Sequence, residues 1–255
     1  MKFTYAEYFR FIDDLRLRGY ELRHFAHPDT LPAADERFLL LTHDIDLDLG
    51  AALELARREH EHGVQSDYFV LVTSPFYNPA AGSSRVLLRE LAALGHGIGL
   101  HFDETVYAGH DDTALAADCA AEVATLEAIV DRPLVGVSYH RPVPGRIGSD
   151  TTITGGAHRY MPFFVYEMEY CSDSTGQWRY GPPTERDAVR AGRALNLLTH
   201  PEWWGEHHLA SGDRMRALLD RREVERATAV SLELAVEVTE RRSAQPADSV
   251  AGDRR

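Results

Sequence analysis

The stretch Leu39-Leu40-Leu41-Thr42-His43-Asp44-Ile45-Asp46 decides the fold. Three successive leucines read as a strand buried on both faces, the pattern of a parallel sheet covered by helices. The run then stops on a histidine and two carboxylates. In parallel α/β folds the reactive groups gather at the carboxyl ends of strands, where loops present them to a shared crevice. Asp44 and Asp46 are two residues apart, so on an extended segment both point to one side and His43 points away from them. Two carboxylates facing one small space repel unless a cation or a proton sits between them. A helix cap accounts for Asp48, ahead of the helical stretch Leu49–His62. It does not account for three titratable groups on an apolar strand end, which read as a functional site.

Working outward, the same design recurs. Gly97-Ile98-Gly99-Leu100 runs into His101-Phe102-Asp103, Leu134–Tyr139 into His140-Arg141-Pro142, and Ala194–Leu198 into Thr199-His200-Pro201. Four apolar strands thus end in a histidine: His43, His101, His140 and His200. A further strand, Tyr68–Val72, empties into Thr73–Pro79, where Tyr77 and Asn78 suit the wall of a pocket for a polar organic ligand. A packed turn stiffened by Pro75 and Pro79 explains that loop equally well. Helical spacing marks 4–18, 49–62, 83–94, 113–130, 184–192 and 211–240, and Tyr160–Tyr170 reads as extended. Strands alternating with helices give an α/β chain with a parallel sheet.

Bulk properties narrow the function. A hydrophobic content of 44% over 255 residues supports one domain, 1–240, followed by a polar tail, 241–255, expected to be disordered. The net charge of -13 argues against nucleic acid and anionic membranes as partners. No apolar run is long enough to span a bilayer, and the opening residues are too polar for a secretory signal. Cys119 and Cys171 have no paired spacing, so no disulfide framework is expected and the cytoplasm is the default compartment. Gly95-His96-Gly97 precedes its strand, the wrong order for dinucleotide binding, and there is no Gly-x-Ser-x-Gly elbow.

Taken together, Asp44-x-Asp46, Gly95-His96-Gly97-Ile98-Gly99-Leu100-His101, His140-Arg141-Pro142 and Leu197-Leu198-Thr199-His200 resemble, in order, the motifs of the polysaccharide deacetylase superfamily. This is the NodB-type fold of carbohydrate esterase family four, and the resemblance covers about residues 37 to 204. It implies a distorted (β/α) barrel of about seven parallel strands. It also implies a divalent metal, zinc first among them, that serves to remove an acetyl group from the nitrogen of an amino sugar. Carried over, Asp44 is similar to the general base, Asp46 to a carboxylate ligand, His101 to the first histidine ligand and Arg141 to the arginine that orients the base. His200 is similar to the general acid, and Asp173 to the carboxylate that braces that arginine. The family's second histidine ligand falls at Thr105, a poor ligand for zinc. His140 is the first choice to replace it, Asp103 the second and His43 the third. Trp203 and Trp204, with Tyr77, offer flat faces to a sugar or acyl group, or else plug the barrel end.

The resulting expectation is a metal-dependent hydrolase acting on a small N-acyl amino sugar or similar compound. The alternatives are a metal-independent carbon–nitrogen hydrolase or lyase of the same fold, and an inactive sugar-binding barrel. Metal analysis separates the first two, and the joint presence of Asp44, Asp46, Arg141 and His200 argues against the third.

Overall fold

The structure, a computed structural model, describes residues 1–150 and 153–243, with side chains described through 235. The chain divides into two units, residues 1–211 and 212–255. The first holds strands β1 (Glu21–Arg23), β2 (Phe38–Ile45), β3 (Asp67–Leu71), β4 (Gly97–Phe102), β5 (Val137–Tyr139), β6 (Glu169–Ser172) and β7 (Leu195–Thr199). It also holds helices α1 (Tyr5–Leu17), α2 (Leu49–Glu61), α3 (Gly82–Ala93), α4 (Asp112–Val130) and α5 (Asp187–Ala191). The described part of the second unit belongs to helix α6 (Ser211–Ser243), whose first residue is the last of the first unit. From residue 244 on, the expected tail lies outside the described residues.

The strands form one curled, all-parallel sheet in the order β5-β4-β3-β2-β7-β6. This is the distorted barrel expected from the sequence. β1 pairs with Phe38–Leu40 and β3 with Thr42–Ile45, both parallel. Since β7 covers Leu39–His43, β1 and β3 must follow one another along the opposite edge of β2. All eight residues of β2 are buried, which is why it reads as continuous apolar sequence rather than alternation.

The two faces of β2 have separate cores. Phe38 and Leu40 point into the barrel, where they pack with Phe25, Phe69, Met161, Phe164 and Met168. Leu39 and Leu41 point outward, against Tyr8, Ile12 and Leu15 of α1. Continuing the alternation, Asp44 is directed inward and His43 outward. Two glycines of β4 make room inside. A Cβ on Gly97 would lie 2.0 Å from Asp67 Oδ1, and one on Gly99 would lie 2.4 Å from the Phe69 ring.

One element differs from expectation. Tyr160–Tyr170 is not extended throughout: Phe163–Glu167 forms a π-helical turn, and β6 begins only at Glu169. The aromatic and β-branched run favours a strand locally. Packing decides otherwise, because Phe164 is buried in the barrel interior and its carbonyl accepts from Asn196 Nδ2 at 3.2 Å.

Candidate active site

At the carboxyl end of the sheet, β2, β4 and β5 bring Asp46, His101 and His140 together. Asp46 Oδ1 lies 3.2 Å from His101 Nε2 and 3.3 Å from His140 Nδ1, and the two nitrogens are 3.0 Å apart. The Ser138 carbonyl is 3.0 Å from His101 Nδ1. A carbonyl only accepts, so the Nδ1 proton is fixed there and the Nε2 lone pair of the neutral ring faces Asp46. Asp46 Oδ1 is buried and has no aligned hydrogen-bond donor. Burial opposes ionisation of Asp46, but His101 and His140, when they carry a proton towards Oδ1, outweigh it and hold its carboxyl far below the usual carboxylate range.

This donor set fits a divalent metal. Zinc bonds of about 2.05 Å set tetrahedral donors about 3.3 Å apart, close to the three separations observed. Two imidazoles and one carboxylate suit zinc and its neighbours in the first transition row, and the triangle leaves one side open. The buried, unpartnered Asp46 Oδ1 is the observation that most needs such a cation.

Asp44 stands beside this group, with Oδ2 at 3.7 Å from His101 Nε2 and 3.5 Å from Ser138 Oγ. It is 3% exposed, and its Oδ1 has no hydrogen-bond partner. His200, at the end of β7, is anchored by Asp173. Asp173 Oδ1 lies 2.7 Å from His200 Nδ1 and also accepts from the His200 backbone at 3.0 Å. Burial disfavours the charged ring, but Asp173, helped by Glu202 and Asp46, outweighs it and pushes His200 up to about 10. Trp204 Nε1 donates to the other Asp173 oxygen at 2.9 Å.

In the sequence Glu202 reads only as part of a rim with Trp203 and Trp204. It is 5% exposed, its Oε2 has no partner, and burial reinforced by Asp46 pushes its carboxyl up to about 8. A carboxylate two residues past a strand-ending histidine was the available signal. Ser138 was also missed, because its carbonyl rather than its side chain orients His101.

Several expectations need correction. Arg141 does not stand beside Asp44: its side chain is 66% exposed at the cavity mouth, and the carboxylate nearest it is Asp103, at 4.0 Å. The chain turns after His140, which sends the next residue outward. Asp173 therefore braces His200, not Arg141. Neither Asp103 nor His43 joins the triangle. Asp103 Oδ1 accepts from the backbone and hydroxyl of Thr105, at 3.0 and 2.6 Å. His43 is fully buried on the outer face of the sheet.

The residues expected to contact substrate are mostly structural. Tyr77 is buried, its hydroxyl donating to the Ile45 carbonyl at 2.6 Å and accepting from the Leu71 amide at 3.0 Å. It ties the ends of β2 and β3 together. Asn78 is exposed and accepts from the Ala80 amide, and it does not line the cavity beside the triad. Trp204 is buried among Phe3, Tyr8, Phe11 and Trp178, and Trp203 packs against the same cluster. The aromatic plug, rather than the sugar platform, describes both tryptophans.

A cavity of about 610 Å³ opens beside the triad. Asp46 and His140 reach it, Leu47, Leu71, Pro75, Phe76 and Val106 form an apolar wall, and Thr73 and Arg141 add polar groups.

No protein-family model matches the chain, and no curated protein matches it. Among solved structures it is similar to a family 4 carbohydrate esterase from Bacillus anthracis, at 17% identity over 86% of each chain and a TM-score of 0.41. It is also similar to the chitin deacetylase of Colletotrichum lindemuthianum, at 15% identity over 78% of this chain and 86% of that one, with a TM-score of 0.42. A carbohydrate esterase family 4 pseudoenzyme from Bacillus anthracis matches at 11% identity over 80% of this chain and 65% of that one, with a TM-score of 0.43.

Proposed function

We propose that the protein is a divalent-metal-dependent hydrolase that removes an acyl group, acetyl in the first instance, from the nitrogen of an amino sugar or related small N-acyl compound. The observation that carries this reading is the triangle of Asp46 Oδ1, His101 Nε2 and His140 Nδ1, with Asp44 beside it and His200 near enough for its charge to act on Asp46. The order of the sequence motifs supports it.

Asp46, His101 and His140 would hold the ion. When bound, it supplies Lewis acidity, polarising the acyl carbonyl and making a nearby water more acidic. Asp44, buried beside the triangle with one carboxylate oxygen unpartnered, takes the proton of that water. His200, kept protonated by Asp173, gives its proton to the leaving nitrogen. Water adds to the carbonyl carbon, the carbon–nitrogen bond breaks, and the products are a carboxylate and an amine. Leu71, Phe76 and Val106 form an apolar face for the rest of the substrate.

Metal analysis tests the reading. The protein is expected to take up about one equivalent of zinc, to lose hydrolysis of an N-acetyl amino sugar panel in chelator, and to recover it with zinc. Activity that survives full chelation would favour a metal-independent carbon–nitrogen hydrolase, and failure to bind any divalent ion would remove the ligand assignment. Metal uptake should also weaken as pH falls. Despite its burial, Asp44 and Asp46 raise the affinity of His101 for a proton, and that proton competes with the ion.

Arg141 gives a second test. At the cavity mouth it can meet an anionic or strongly polar part of a substrate, but it cannot orient Asp44. Arg141→Ala is expected to raise KM several-fold with kcat nearly unchanged. A collapse of kcat at unchanged KM would return Arg141 to the base.

A further inference from the structure

The outer face of the sheet carries a buried polar cluster that the proposed chemistry does not use. Glu59, on α2, is fully buried. Its Oε2 accepts from Ser66 Oγ and Tyr68 OH, each at 2.7 Å. Its Oε1 accepts from Tyr8 OH and lies 3.1 Å from His43 Nε2. On the other side of the ring, His43 Nδ1 is 2.7 Å from Thr199 Oγ1. His96 lies close by, with Nε2 donating to the Ala56 carbonyl at 3.0 Å and Nδ1 3.7 Å from Glu59 Oε2. Burying a carboxylate is costly unless its oxygens are satisfied, and here both are.

A hydroxyl, an imidazole and a carboxylate in this order can activate a nucleophile. Thr199 is fully buried, however, with 0% of its surface exposed, so no substrate reaches it. The arrangement makes sense as a clamp. His43 and Thr199 are register partners and form the last rung of the β2–β7 ladder. Asp44 and His200 are the residues immediately after them, directed to the opposite face. Beyond that rung no ladder joins the two segments that carry the proposed base and acid.

We infer that the chain Glu59–His43–Thr199 is a positioning device that fixes the separation of Asp44 from His200, with Glu59 as its anchor on α2. The inference rests on the roles given above to Asp44 and His200.

The test uses the full chain loaded with metal, carrying Glu59→Gln, Thr199→Val or both. Each single variant is expected to lower kcat about tenfold or more, with KM and metal stoichiometry unchanged. The double variant should be no worse than the weaker single one, because the residues act as one unit. Thr199→Ser, which keeps the hydroxyl, should restore kcat. The NMR signals of the His200 ring report the same loosening without turnover and are expected to shift in both single variants. Unchanged kcat with unshifted His200 signals, whatever happens to Tm, would overturn the inference. Should Glu59→Gln fail to fold, Thr199→Val removes one hydroxyl at constant shape and still decides. If the wild-type protein hydrolyses no N-acyl compound, the proposed function falls, while the His200 signals still show whether the clamp exists.

Discussion

Asp44→Asn is expected to lower kcat by about 10²- to 10⁴-fold, the usual worth of a positioned general base. The substitution preserves shape and removes only the proton-accepting charge. Metal stoichiometry should stay the same, because Asp44 lies outside the triangle of Asp46, His101 and His140. Stability should not fall. The carboxylate is 3% exposed and one of its oxygens has no partner, so neutralising it relieves an electrostatic cost. Lost turnover combined with an unchanged or raised Tm would therefore separate a catalytic carboxylate from a structural one. Comparison with Asp46→Asn sharpens the reading, since that variant should lose metal affinity as well as activity. An Asp44→Asn protein with undiminished kcat would remove the base assignment.

The second large effect concerns the alkaline limb of activity. Burial works against the His200 charge, yet Asp173 holds the ring up to about 10. A general acid of this kind stays loaded through neutral pH, and kcat should fall only as pH rises through about 10. In Asp173→Asn the opposing carboxylate is gone and burial remains. The limb should then fall toward the ordinary value of about 6.5, and at that limit roughly 3% of the ring is protonated at pH 8 and kcat is about thirtyfold lower. Stability follows the same pair. The folded pKa of His200 is raised above its unfolded value, so the contribution is complete below about 6.5 and is lost as pH climbs through about 10. Profiles of kcat and Tm against pH for both proteins check this, and an alkaline limb that does not move in Asp173→Asn would exclude His200 as the acid.

What could be read in the sequence was set by strand geometry. The Leu39–Leu41 run identified a strand buried on both faces, and the two-residue period put Asp44 and Asp46 on one side and His43 on the other. The same period, with strand ends brought level by a parallel sheet, is what gathers Asp46, His101 and His140. Past the strand ends that logic fails. Arg141 follows His140 by one residue, but the chain has already turned, and spacing gives no direction for a loop side chain. Tyr77, Trp203 and Trp204 were ambiguous because an aromatic ring suits a plug as well as a platform, and only packing tells the two apart. Asp173 was placed near the site for the wrong partner. Its pairing with His200 depends on β6 and β7 lying side by side, a long-range register that no local pattern reveals.

Beneath Asp44 the interior is filled by Phe38, Leu40, Phe69, Phe164 and Met168, the aromatic ring of Phe69 lying where a side chain on Gly99 would have stood. The barrel is thus packed below the site rather than hollow, and nothing passes through it from end to end. For the hydrolysis proposed, the acid released and the freed amine must both depart by the doorway through which the substrate arrived. Accumulated acetate should accordingly compete with fresh substrate for that doorway.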